Sequence, residues 1–136
     1  MTRYTSVDEM LDDARSRLVR VGPREAEALV ADGALLVDIR PLWQRAGEGE
    51  VPGSIVVERN HLEWRLHPSS SARLPQAQPG QRWVVLCSEG YTSSLAADAL
   101  NSLGVAATDV VGGFLAWRRA GLPTVAGWTP ADQIVA

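Results

Sequence analysis

Apolar positions along this chain recur with two different periods, and the switches between them mark out the elements. Over residues 6–18, Val7, Met10, Leu11, Ala14 and Leu18 fall at helical spacing, and Ser6 followed by Glu9 offers a capping-box start. The acidic Asp8, Glu9, Asp12 and Asp13 of this segment suit a first turn and a solvated face. A short strand is expected at 19–21. Gly22 and Pro23 then open a second helix, with Ala26, Leu29 and Val30 as its apolar face and Gly33 as its stop. Residues 34–39 are apolar except for Asp38, the signature of a strand buried on both faces. Another short strand follows at 55–57, then a mixed segment, 58–67, that reads as a short helix. Residues 68–82, rich in Ser, Pro and Gln, read as a connecting loop.

The run Trp83, Val84, Val85, Leu86 predicts a second fully buried strand, followed by a helix whose buried face is expected to carry Leu95, Ala96, Ala99, Leu100 and Leu103. Gly104 stops it, residues 105–111 carry the last strand, and Gly112 and Gly113 turn into a helix bearing Phe114 and Trp117. In the tail that follows, Trp128 is expected to pack back on the domain. Strands alternating with helices through short connections predict an α/β fold with a parallel sheet covered on both sides.

Composition narrows the function classes. A chain of 136 residues, 46% hydrophobic and 21% charged, has the size of one ordinary domain with a real core. Its net charge of −3 and scattered arginines give no nucleic-acid footprint. No apolar run approaches the ~18 residues of a membrane helix, and residues 1–6 lack a signal-peptide pattern, so the expected setting is cytoplasmic, without membrane association. The one cysteine fits a reducing compartment. His61 and His67, with no cysteine or acidic cluster to complete a ligand set, read as surface histidines, and no metal or other cofactor is expected.

Cys87 sits where a predicted strand stops and a helix starts. There the backbone N–H groups lack intrahelical partners and the helix dipole favours an anion, a setting that makes a thiol nucleophilic. Cys87 ends the apolar run instead of lying inside it. Gly90 follows where a tight loop needs positive φ, and Thr92, Ser93 and Ser94 supply hydroxyls at the helix entry. Asp38 at the end of a buried strand needs a partner, and Arg40, two residues on, is available; the pair is read as structural, anchoring the loop beneath the site.

Four stretches, in order over some ninety residues, resemble the rhodanese (sulfurtransferase) family: Asp38-Ile39-Arg40; Arg45 through Val51-Pro52-Gly53-Ser54; the loop Cys87-Ser88-Glu89-Gly90-Tyr91-Thr92-Ser93; and Gly112-Gly113-Phe114 through Trp117 to Gly121-Leu122-Pro123. The resemblance implies a single-domain protein with a five-stranded parallel sheet flanked by helices. The expected division is an N-terminal helical extension at 1–20, the rhodanese-like domain at 21–127 and a tail at 128–136.

It also implies sulfur transfer by double displacement. Cys87 takes a sulfane sulfur from thiosulfate, mercaptopyruvate or a protein persulfide, then passes it to a thiol or cyanide, in some relatives within a sulfur relay. Backbone N–H groups of Ser88, Glu89, Gly90, Tyr91, Thr92 and Ser93 would hold the persulfide, with the Thr92 and Ser93 hydroxyls assisting. Arg45 is a candidate for binding an anionic donor, the alternative being a solvated loop charge; Arg59 is a second candidate. Acidic Glu89 beside the cysteine argues against thiosulfate if it faces the pocket. Three other readings compete, the least favoured being a purely structural domain, in which an exposed reactive cysteine would be a liability. A non-catalytic binding module uses the same fold. A cysteine phosphatase would need a loop one residue longer, closed by an arginine, and this loop offers Thr92 and Ser93 instead.

Overall fold

A computed structural model describes residues 1–131. Four parallel strands, β1 (Leu35–Asp38), β2 (Ile55–Val56), β3 (Trp83–Leu86) and β4 (Ala107–Asp109), form one sheet in the order β2-β1-β3-β4. The helices are α1 (Val7–Ser16), α2 (Pro23–Ala31), α3 (Leu42–Glu48), α4 (Leu62–Leu66), α5 (Thr92–Ser102) and α6 (Gly113–Arg119), with a 3-10 turn at Arg59–His61 leading into α4. Central β3 pairs with β1 and with β4, and all four of its residues are buried. Because side chains alternate across a strand, β3 feeds two cores. Trp83, Val85 and Cys87 pack with Leu62, Ala96 and Leu100 on one face, while Val84 and Leu86 pack with Ala26, Phe114 and Trp117 on the other.

The sheet has four strands among the described residues, not the expected five. The segment expected as a strand at 19–21 makes one parallel bridge, Val21 to Val110, in which the Val21 N–H donates to the Asp109 carbonyl (3.1 Å) and its own carbonyl accepts from Val111 (2.8 Å). It goes no further because Gly22 caps α2 and Pro23, its first residue, has no N–H to give a ladder. On the other side Val19 is exposed, and its carbonyl is taken by the Thr108 hydroxyl.

Helix α1 starts as expected, with the Ser6 hydroxyl accepting from the Glu9 N–H at 3.0 Å. The Glu9 carboxylate, however, reaches back to Thr5 and leaves Ser6 unreciprocated. On α5 the buried face is rotated from expectation. Ser93, Ser94, Ala96, Ala97 and Leu100 are buried, whereas Leu103 is largely exposed. Arg45, expected in a loop, lies in α3, which starts after Pro41 and ends at Gly49, where φ is +101°. The 68–82 loop is pinned by buried Leu74 and Ala77, and the Leu74 N–H donates to Arg65 at 2.8 Å.

The tail does return to the domain, though not through Trp128, which is 70% exposed. Glu50 and Val125 instead exchange two backbone hydrogen bonds of 2.8 Å. Gly127 lies so close to the Arg45 carbonyl that a Cβ there would sit 1.7 Å from its oxygen. Backbone contact at a glycine replaces the expected aromatic contact beside it. The tail beyond residue 131 lies outside the described residues.

Candidate active site

Cys87 directly follows β3 and is 4% exposed. Its Sγ accepts the Gly90 N–H at 3.2 Å and the Ser93 N–H, in the first turn of α5, at 3.4 Å. The loop can close this tightly because Gly90 adopts φ +88°. A Cβ there would meet the Gly112 nitrogen at 2.9 Å and the Val110 oxygen at 3.0 Å. Cys87 lines a pocket of about 440 Å³ together with Trp43, Gln44, Glu48, Ser88, Glu89, Tyr91 and Thr92. No arginine is among these residues. Trp43 and Tyr91 are exposed at its rim, and Glu89, which does face it, has no ion-pair partner among the described residues.

On the β1 side, Asp38 and Arg40 form the expected pair, with Arg40 Nη2 and Nε donating to the two carboxylate oxygens at 2.6 and 3.0 Å. Both side chains are fully buried. Arg40 also pairs with Glu48 (2.9 Å), donates to the Gly49 carbonyl (2.8 Å) and stacks over Phe114 at 4.2 Å. Burial works against its charge, but the Asp38 and Glu48 carboxylates outweigh that and hold its pKa above the usual arginine value. Glu48 accepts in turn from the Ser88 hydroxyl at 2.7 and 3.0 Å. A chain of charges thus runs from the end of β1 to the residue beside Cys87.

Helix α6 holds the loop through its backbone. The Phe114 and Leu115 N–H groups donate to the Cys87 and Ser88 carbonyls at 2.8 and 3.1 Å. Gly113 permits this approach, since a Cβ on it would lie 2.5 Å from the Cys87 oxygen.

On the β4 side the structure adds residues that sequence reasoning missed. Asp109, fully buried, accepts from Arg20 Nε (2.8 Å) and Nη2 (3.0 Å) and from the Ser93 and Ser94 hydroxyls (2.8 Å each). The Ser93 hydroxyl, expected to assist the sulfur, is therefore turned away, and its N–H faces the sulfur instead. Arg15 and Arg20 donate to the Gly90 carbonyl at 2.7 and 2.9 Å, and Arg15 Nε also donates to Ser94 Oγ at 3.0 Å. A signal for Asp109 did exist: an acid in an apolar run, as for Asp38.

The two arginines expected near substrate lie elsewhere. Arg45 is 1% exposed, paired with Glu50 at 2.7 Å and hydrogen-bonded to the Arg40 and Thr129 carbonyls. It is neither a donor-binding group nor a solvated charge, because the returning tail covers it. Arg59 pairs with Glu63 one helical turn on (2.8 Å) and does not line the pocket. Among the described residues no group of three or more His, Cys, Asp or Glu is placed to hold a metal ion, and no helix is long and apolar enough to cross a membrane.

Residues 22–120 match the model of the Rhodanese-like domain family. An uncharacterized protein of Synechocystis is 37% identical over 110 residues, covering 79% of this chain and 56% of its own length. A Zea mays adenylyltransferase and sulfurtransferase is 36% identical over 105 residues, covering 74% of this chain and 22% of its own length. The chain thus spans about half, or about a fifth, of these curated relatives. Among solved structures, a Rhodopseudomonas palustris protein of unknown function, described as a possible tyrosine phosphatase, superposes with a TM-score of 0.80 at 33% identity, covering 91% of this chain and 97% of that one. The polysulfide-sulfur transferase of Wolinella succinogenes shares the fold, with a TM-score of 0.70 at 23% identity over 85% of this chain and 84% of that one. By its matched residues, its parallel sheet and its cysteine loop after the central strand, this chain belongs to the rhodanese-like domain family.

Proposed function

We propose that the protein is a sulfurtransferase that carries sulfane sulfur on Cys87. The observation that carries this reading is a cysteine at the carboxyl end of the central strand that lines a pocket, its thiol held by two backbone N–H groups at 3.2 and 3.4 Å. Oriented amides of this kind stabilise a sulfur anion without a cofactor. The Cys87 thiolate attacks the outer sulfur of a donor, an S–S bond forms, and the donor's bond to that sulfur breaks with its electron pair leaving on the donor. The leaving group is pyruvate enolate from mercaptopyruvate, or a thiolate from a protein persulfide. An acceptor thiolate then attacks the outer sulfur and Cys87 leaves as thiolate.

The pocket's charge favours some donors over others. Among the described residues Glu89 has no ion-pair partner, and Glu48 shares its charge with Arg40. A thiosulfate dianion about 4 Å from a carboxylate is disfavoured by ~1 kcal/mol per charge in a water-like dielectric, and by less in salt. Mercaptopyruvate or a protein-borne persulfide fits better, and exposed Trp43 and Tyr91 offer a protein partner an aromatic rim. The same lack of a lining arginine argues against a phosphate dianion and so against phosphatase chemistry.

Intact mass spectrometry of the reduced protein tests this. After mercaptopyruvate, a gain of one sulfur (~32 Da) that is absent in Cys87→Ser and removed by cyanide is expected. No adduct from mercaptopyruvate, thiosulfate or a persulfidated protein would refute the reading.

A further inference from the structure

We infer that the segment before the matched family domain is part of the active site, with Arg15 and Arg20 acting as positioning residues for the cysteine loop. The inference rests on the reading of Cys87 as the sulfur carrier. Gly90 is the link. Its N–H donates to Cys87 Sγ at 3.2 Å, and its carbonyl receives Arg15 at 2.7 Å and Arg20 at 2.9 Å. Apart from these arginines, that oxygen has one long contact among the described residues, the Ser94 hydroxyl at 3.4 Å. A glycine at φ +88° has little intrinsic preference to hold its peptide planes, so their orientation comes from what grips them.

Two guanidinium donors grip this one. Because the peptide is trans, fixing the Gly90 carbonyl also points the Tyr91 N–H to the side opposite the arginines. Charge-assisted bonds polarise the amide they engage, here the one that carries the Tyr91 N–H, while the Gly90 N–H on the sulfur belongs to the preceding peptide and is aimed through the shared Gly90 Cα.

The two arginines are held differently. Arg20 is locked by both oxygens of buried Asp109. Arg15 forms no ion pair with a carboxylate among the described residues, and its remaining contacts are Ser94 and the Tyr91 ring at 5.9 Å. It therefore brings a net positive charge to the back of a loop whose work is to hold a negative sulfur. Arg15 reaches the loop because α1 docks on α5, with Ala14 buried and Arg17 bonded to Asp98 by two 2.8 Å contacts. Both arginines precede residue 22, where the family match begins.

The test uses the full chain as wild type, Arg15→Ala, Arg15→Lys and Arg17→Ala, with thermal unfolding to confirm that each is folded. Two readouts are taken: the single-turnover rate of persulfide formation from mercaptopyruvate, and hydrogen–deuterium exchange of the peptide spanning residues 88–92. Arg15→Ala is expected to slow persulfide formation about tenfold, the scale of one charge-assisted hydrogen bond, without changing the half-saturating donor concentration. It should also raise exchange at 88–92. Arg15→Lys should recover part of both, and Arg17→Ala, which removes one exposed tie of α1 but leaves buried Ala14 and the Gly90 contacts in place, should change both by less than Arg15→Ala.

Unchanged rate and exchange in Arg15→Ala would overturn the inference. So would equal losses in Arg15→Ala and Arg17→Ala, which would assign the effect to helix docking alone. If wild type forms no persulfide with any donor while Arg15→Ala still raises exchange only at 88–92, the sulfur-transfer reading falls and the positioning role stands.

Discussion

The cysteine loop is gripped from two sides by arginine–aspartate pairs that differ in how far apart their partners lie in the chain. On the β1 side Asp38 and Arg40 are two residues apart; on the β4 side Asp109 and Arg20 are 89 apart. The first pair closes when one strand ends, and through Glu48 it reaches Ser88. The second closes only when the N-terminal segment has docked, and it reaches Ser93, Ser94 and the Gly90 carbonyl. A local pair is set by one strand's geometry, whereas a remote pair makes the loop's shape conditional on tertiary assembly.

The largest effect is expected on the local side. Arg40→Ala leaves Asp38 buried and unpaired and should cost about 3–5 kcal/mol in urea unfolding. A loss under about 1 kcal/mol would mean that water or another group replaces the guanidinium. Asp109→Asn keeps the shape but removes the charge facing Arg20, which is partly exposed. It should cost less, about 1.5–3 kcal/mol, the worth of a hydrogen bond to a charged group. If it cost more than Arg40→Ala, the remote side would be the principal support.

Glu89→Gln touches neither pair. It should raise thiosulfate turnover several-fold, corresponding to the removal of ~1 kcal/mol of repulsion, with little change in thermal stability. An unchanged thiosulfate rate would show that Glu89's charge is already screened.

The smallest effect concerns the surface tie that brings α1 to α5. Hydrogen bonding to Arg17 lowers the Asp98 pKa from its ordinary 3.8, and hydrogen bonding from Tyr4, with Arg17 adding to it, lowers that of Asp13. Depressed carboxyls stabilise the fold above their unfolded-state values and lose that contribution as pH falls through the folded ones. Melting curves of wild type and Arg17→Ala should therefore differ slightly at pH 6 and converge below about pH 3, with the pH 6 difference shrinking in high salt. A gap that persists in acid would point to packing of the Arg17 stem.

These contrasts also explain what the sequence disclosed. The β1 and β3 strands, the cysteine at the strand-to-helix junction and the Asp38 pair all follow from local pattern. Arg45 was misread because its surroundings come from Glu50 and from Thr129, 84 residues away. The fifth strand failed because a proline and a helix start stand where a ladder would have to continue. Ser93 lay at the right position, but its hydroxyl had a stronger claimant in Asp109. Arg15 and Arg20 carried no local mark, since a surface arginine and one about to meet a carbonyl 70 residues on look alike in sequence.

The cradle is built from main-chain atoms: the N–H groups of Gly90 and Ser93 on the sulfur, the carbonyls of Cys87 and Ser88 on α6, and the carbonyl of Gly90 on the arginines. The exposed side chains of Glu89 and Thr92 line the pocket and form no part of the cradle, and Tyr91 meets it only where its ring lies against Arg15. On the proposed reading, the grip on the sulfur and the choice of donor are thereby encoded separately, and a library randomised at positions 89 and 92 can vary the second without rebuilding the first.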